Sequence, residues 1–314
     1  MLFALGALLV ALAGWMAVVS HLLHVTITDH GTNCGPCAHS FRSIGNQASI
    51  IMLLLFALPG IAGISLGAPL VARELEQRTN RLVWTQGTSR TRWLLVKWSV
   101  IGTTMLGALA VFQLVAHWWG VGVMSLFPIG VSSFTGSSPV EPEIFGVSGV
   151  VPVAYALFAF SLGAALGAVL RRMAWAIVTM IPIYAVTTWF VANYLRPHLA
   201  PLQFHAVSSS GTAVYGYTVV QQQVWDVSLG YRLLPGFHHL VPAQSFNSLM
   251  NACYASVPHP TFTRCMARHG ARVGEFYQPG SHYWALQWAE AGIYVAASLA
   301  LLGVALIAVR RWRA

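Results

Sequence analysis

Six long apolar runs alternate with polar segments along this chain, at residues 2–23, 49–72, 93–119, 150–170, 173–195 and 283–309. Each meets the roughly 20 mostly apolar residues that an α-helix needs to cross a bilayer. The pattern therefore predicts an all-α polytopic membrane protein with six transmembrane helices, a single membrane domain over 1–314. Runs four and five are separated only by Arg171 and Arg172, which predicts a tight antiparallel helical hairpin. Gly63 with Gly67 and Gly163 with Gly167 form small-x-x-x-small pairs in the second and fourth runs, where neighbouring helices can approach closely. Pro59 with Gly60, and Pro182, predict bends in the second and fifth.

Composition supports the same class. At 56% hydrophobic and 8% charged residues, the 314-residue chain has too little polar surface to cover a soluble globule. Orientation follows from Lys and Arg, which accumulate in short cytoplasmic segments. Eleven of the seventeen cations fall on the side holding both termini, the 71–92 segment and the Arg171–Arg172 turn. Five of the other six lie in the long 196–282 segment, where the rule has little force. The reading is a plasma-membrane protein with cytoplasmic N- and C-termini and an uncleaved first helix, since no basic stretch precedes its apolar core. A basic inner rim accounts for the formal net charge of +9 without nucleic acid as a partner. On the outer side, 196–282 is rich in turn formers and aromatics, as in LRPHLAPLQF and YRLLPGFHHLVPAQSF, and reads as a compact extracellular lid.

The one inward segment of any size, 71–92, concentrates charge. Val71, Leu75 and Leu82 share one face of a predicted helix, while Arg73, Glu74, Gln77, Arg78 and Arg81 lie around the other. Glu74 and Arg78, four apart, support that helix. A surface helix resting on lipid headgroups is one reading. A docking helix for a cytoplasmic partner is the other, favoured by the carboxylates Glu74 and Glu76, which suit anionic lipid poorly, and by Trp84, a good anchor for a protein pocket.

The stretches GAPLVARELEQRTNRLVWTQGTSRTRWLLVKW and FYQPGSHYWALQWAEAGIY resemble the permease subunits of actinobacterial type 2 ATP-binding-cassette (ABC) exporters. The resemblance covers nearly the whole chain in the number and order of spans. It implies that 71–92 is a coupling helix seated in a separate ATPase, with Arg73, Glu74, Glu76, Gln77, Arg78, Arg81 and Trp84 at the contact. It also implies two ATPase subunits and a second permease subunit, alike or similar, with membrane lipids around them. Many relatives begin with a cytoplasmic amphipathic helix; here Met1 already stands at the edge of the first run. The chain has no P-loop of its own: its one lysine, Lys97 in LLVKWSV, follows no glycine pattern. ATP and Mg²⁺ are therefore expected on the partner, and this chain is expected to bind no cofactor and to be no enzyme by itself.

Candidate chemistry is sparse. Cys34 and Cys37 form CGPC, the spacing of thiol oxidoreductases, but a loop between two spans has no room for the sheet and helix that activate such a pair. Plain disulfides among Cys34, Cys37, Cys253 and Cys265 are the simpler reading, with three pairings open. His30, Cys34, Cys37 and His39 offer two imidazoles and two thiolates to zinc at a spacing outside the usual finger patterns. Haem attachment through C-x-x-C-H fails at Ala38. Inside the runs, Glu290 is the one carboxylate and marks a functional or packing site, because charge is costly in lipid. Gln113 and His117, one turn apart, are expected to face the same interior as a substrate path. The combined expectation is a permease for an amphiphilic or hydrophobic compound, driven by a separate ATPase. The alternatives are an ion-coupled carrier using Glu290 and a membrane thiol oxidoreductase using Cys34 and Cys37.

Overall fold

Within a bilayer every backbone N–H and C=O must be satisfied inside the segment, so apolar runs of this length fold as helices. The computed structural model describes residues 2–30, 38–77, 89–126, 145–201, 203–206, 224–233, 252–253, 265 and 271–311. The helices are α1 (Leu2–His30), α2 (Ala38–Ala62), α3 (Ala68–Glu76), α4 (Arg90–Leu126), α5 (Val151–Leu170), α6 (Met173–Phe190) and α7 (Tyr283–Arg311). A π turn, Gly63–Gly67, joins α2 to α3, so the second span continues through both. Pro59 lies within α2 and Pro182 within α6, each inside continuous helix. Among the described residues six helices are long and apolar enough to cross a membrane. The protein is a multi-pass membrane protein, as the six runs anticipated.

The chain divides into two compact units. The first contains the helices from α1 to α6 and α7 from Gln287 onward, and α5 is its centre. Fifteen of the twenty residues of α5 are buried, against α2, the π turn, α3, α4 and α6. Close approach explains that position. A Cβ added to Gly63 would stand 2.3 Å from the Cβ of Ala159, and one on Gly67 would stand 2.4 Å from the carbonyl oxygen of Phe160. From the other side, a Cβ on Gly163 would lie 2.6 Å from the Ala68 nitrogen. The two glycine pairs read from the sequence thus face one another, backbone against backbone. α7 instead reaches α5 through long side chains.

Outside this centre the helices turn large apolar side chains outward, including Val111, Leu114 and Trp118 of α4, Val178, Ile181 and Val186 of α6, and Leu299 and Ile307 of α7. Such faces suit lipid. α5 ends at Leu170 and α6 starts at Met173, with Arg171 in the left-handed region at φ 57°, so the predicted two-residue hairpin is present.

The second unit holds a π turn (Val191–Leu195) in part, a 3₁₀ turn (Arg196–His198) and three strands, β1 (Gln203–Ala206), β2 (Val224–Leu233) and β3 (Ala271–Pro279). β3 is central and pairs antiparallel with both neighbours, Phe204 opposite Phe276 and Leu229 opposite Glu275. A bulge between Asp226 and Ser228 interrupts β2. The all-α expectation holds for the six spans, and the 196–282 segment adds this small sheet. Cys253 and Cys265 form a disulfide with Cα atoms 5.8 Å apart, one of the pairings left open by the sequence. Cys34 and Cys37 lie outside the described residues, so neither the CGPC motif nor a zinc set built on it is described.

Candidate functional site

At the charged end of the second span, α3 brings Val71 and Leu75 inward and leaves Arg73, Glu76 and Gln77 exposed, as the helical pattern anticipated. α3 ends at Glu76, and α4 starts at Arg90. Of the expected docking residues, Arg78, Arg81 and Trp84 lie outside the described residues. The two carboxylates are engaged within the chain. Glu74 forms an ion pair and hydrogen bond with Lys97 of α4, whose ammonium also stands 4.8 Å from the ring centre of Trp93. Glu76 accepts a 2.8 Å hydrogen bond from the backbone N–H of Met173, the first residue of α6. A carboxylate suits that position, because the first turn of a helix has N–H groups without intrahelical partners and a partial positive charge. One short helix end is thereby fastened to the third and fifth spans.

A second constellation lies in the sixth span. Glu290 is fully buried and accepts a 2.6 Å hydrogen bond from the Tyr155 hydroxyl of α5. Tyr155 packs edge-to-face on Tyr294 at 4.7 Å between ring centres, and Phe158 packs on both Tyr294 and Tyr184, at 5.3 and 6.3 Å. One turn before Glu290, Gln287 is also fully buried. Its amide oxygen accepts from the N–H groups of Val150 and Val151 at 3.0 Å each, and its amide nitrogen donates to the carbonyls of Phe145 and Ser148 at 3.2 and 3.1 Å. The start of α5 is thus capped by a side chain from another span, over a turn in which Gly149 has φ 70°. Gln113 of α4 donates to the Val147 carbonyl at 2.6 Å, so two amides from different spans hold the same turn.

Several sequence expectations meet this geometry. Glu290 is interior and paired, and Gln113 is half-buried with a backbone partner. His117, one turn beyond Gln113, is exposed, so the two do not share an interior face. Gln287 went unremarked in the sequence. Its available signal was an amide one turn from the intramembrane carboxylate, in LQWAE. The alternation in VWDVSLGYRL was likewise the available sign of β2.

A family model described as ABC-2 membrane transporter related matches residues 2–196. No curated protein and no solved structure matches the chain.

Proposed function

Because the chain belongs to the ABC-2 membrane transporter related family, we propose that it is the membrane-spanning subunit of an ATP-driven exporter for an amphiphilic or hydrophobic compound. A permease of this family normally works with an ATPase subunit. Two copies of that subunit bind ATP and Mg²⁺ here, and a second permease subunit completes the path. The ATPase docks on the 71–92 segment, and both termini face the cytoplasm. Family membership supports this reading over an ion-coupled carrier built on Glu290 and a thiol oxidoreductase built on Cys34 and Cys37.

One observation carries the reading: the end of the second span is tied to the third by Glu74 and Lys97 and to the fifth by Glu76. A push on the docking segment is then shared by three spans. The glycine contact between the second and fourth spans extends the moving body to α5. α5 and α7 meet through the Tyr155–Glu290 hydrogen bond, a joint that can open without separating closely packed backbones.

The test is a charge exchange scored by copurification. Glu74→Lys alone sets two ammonium groups against each other, so its failure would have a trivial cause. The double change Glu74→Lys with Lys97→Glu restores the internal pair, with membrane insertion and thermal stability near wild type as the expected result. The same chain is expected to lose most of its copurifying ATPase, because a reversed charge at a protein interface costs several kcal/mol. Full retention of the ATPase by the exchanged chain would overturn the docking assignment, and a wild-type chain that never retains an ATPase would overturn the exporter.

A further inference from the structure

Among the first three spans at the charged end lies a pocket of about 440 Å³. That is within the roughly 300–1,000 Å³ of small-molecule sites. Its walls are apolar, from Leu66 and Leu70 of the second span, Ile101 of the third and Leu2 of the first. Its polar groups come from the last turn of α3 and the first turns of α4: Arg73, Glu74, Gln77 and Lys97. Depth is apolar and the rim is charged, the division found in an amphiphile.

The sign of the rim sets the headgroup. Lys97 is offset by Glu74. Arg73 is exposed, its carbonyl accepts from the Gln77 N–H, and its guanidinium makes no ion pair or hydrogen bond among the described residues, so one cationic side chain is left in excess beside the Gln77 amide. A guanidinium binds phosphate through paired N–H donors and is more weakly hydrated than an ammonium, which suits it to the edge of an apolar wall. In the orientation proposed above, this edge faces the cytoplasmic leaflet, whose anionic lipids are drawn to such a cation. We infer that this pocket holds one anionic glycerophospholipid, its phosphate at Arg73 and one acyl chain along Leu66, Leu70 and Ile101. The site shares α3 with the docking segment but needs no ATPase to form. A bound lipid there would brace the same helix end that Glu74 and Glu76 fasten.

Native mass spectrometry of the full-length permease in detergent, titrated with phosphatidylglycerol or phosphatidylcholine of identical acyl chains, tests the assignment without the ATPase. The wild-type chain is expected to hold the first phosphatidylglycerol about tenfold more tightly than the first phosphatidylcholine, whose choline cation offsets the phosphate charge that Arg73 meets, a difference of roughly 1.4 kcal/mol. Arg73→Gln should erase the preference, and Arg73→Lys should keep part of it. Ile101→Trp, which fills the apolar end and leaves the charges alone, should weaken both lipids. Glycerol phosphate, which has the headgroup charge without acyl chains, should not compete. Equal affinity of the two lipids for the wild-type chain, an undiminished preference in Arg73→Gln, or effective competition by glycerol phosphate would each overturn the lipid assignment. Loss of ATPase docking in the exchanged chain, with lipid preference intact, would leave it standing.

Discussion

Glu290 sits about two turns into α7, buried on every side, with a 2.6 Å hydrogen bond from the Tyr155 hydroxyl. Carboxylates at membrane depth are retained for pairing or for function, because desolvation strongly disfavours an isolated charge. The two roles separate by substitution. In Glu290→Gln the amide oxygen still accepts from the Tyr155 hydroxyl, so assembly and thermal stability should remain near wild type. If the charge itself serves gating or binds a cationic group, the same variant should show substrate-stimulated ATP hydrolysis reduced by about tenfold, equivalent to roughly 1.4 kcal/mol of lost interaction. Tyr155→Phe removes the donor and leaves the carboxylate buried, and its thermal midpoint should fall, consistent with about 1–3 kcal/mol for a deprived buried polar group. Full substrate stimulation in Glu290→Gln would return the residue to a packing role.

At the scale of elements, α5 is held in two unlike ways. Along its Gly163 side it meets the second span with no room for a methyl group, and the neighbours there are backbone atoms that cannot swing aside. Tight contacts between small residues are how helices associate in lipid, where apolar burial supplies no net drive. Gly163→Ala is therefore expected to destabilise the protein by about 1–3 kcal/mol, the range for forced overpacking. Gly107→Ala in α4, where a Cβ meets nothing within 4 Å, is the control and should be neutral or slightly stabilising. Equal thermal midpoints for the two variants in detergent would remove the glycine contact from the account. At its start α5 is held by polar atoms instead: Gln287 satisfies helix-end N–H groups that lipid would leave bare, and Gln113 holds the Val147 carbonyl of the preceding turn.

For the whole molecule, the proposed placement of both termini and the docking segment in the cytoplasm makes one prediction. In a chain whose native cysteines are replaced by serine, Ser281→Cys should react with a membrane-impermeant thiol reagent added to intact cells, and Ser89→Cys should react only after lysis; both positions are exposed. The reverse pattern would invert the orientation and place the 71–92 segment out of reach of any cytosolic ATPase. Much of the architecture follows from local properties of the chain. The number of spans, the two-residue hairpin at Arg171 and Arg172, and the inward face of α3 each depend on hydropathy over a few turns of helix, so the sequence by itself determined them. The glycine pairs were legible as a capacity for close packing, because the absence of Cβ is also local. Their partner was not: that Gly63 and Gly67 meet the fourth span is a choice among helices that all look alike in composition. The same holds for Glu74, whose partner Lys97 lies 23 residues on, and for Gln287, which caps a helix 137 residues earlier. Only the tertiary structure decided these, since a side chain's type specifies how many hydrogen bonds it needs, while the packing of distant segments selects which groups come within reach to make them.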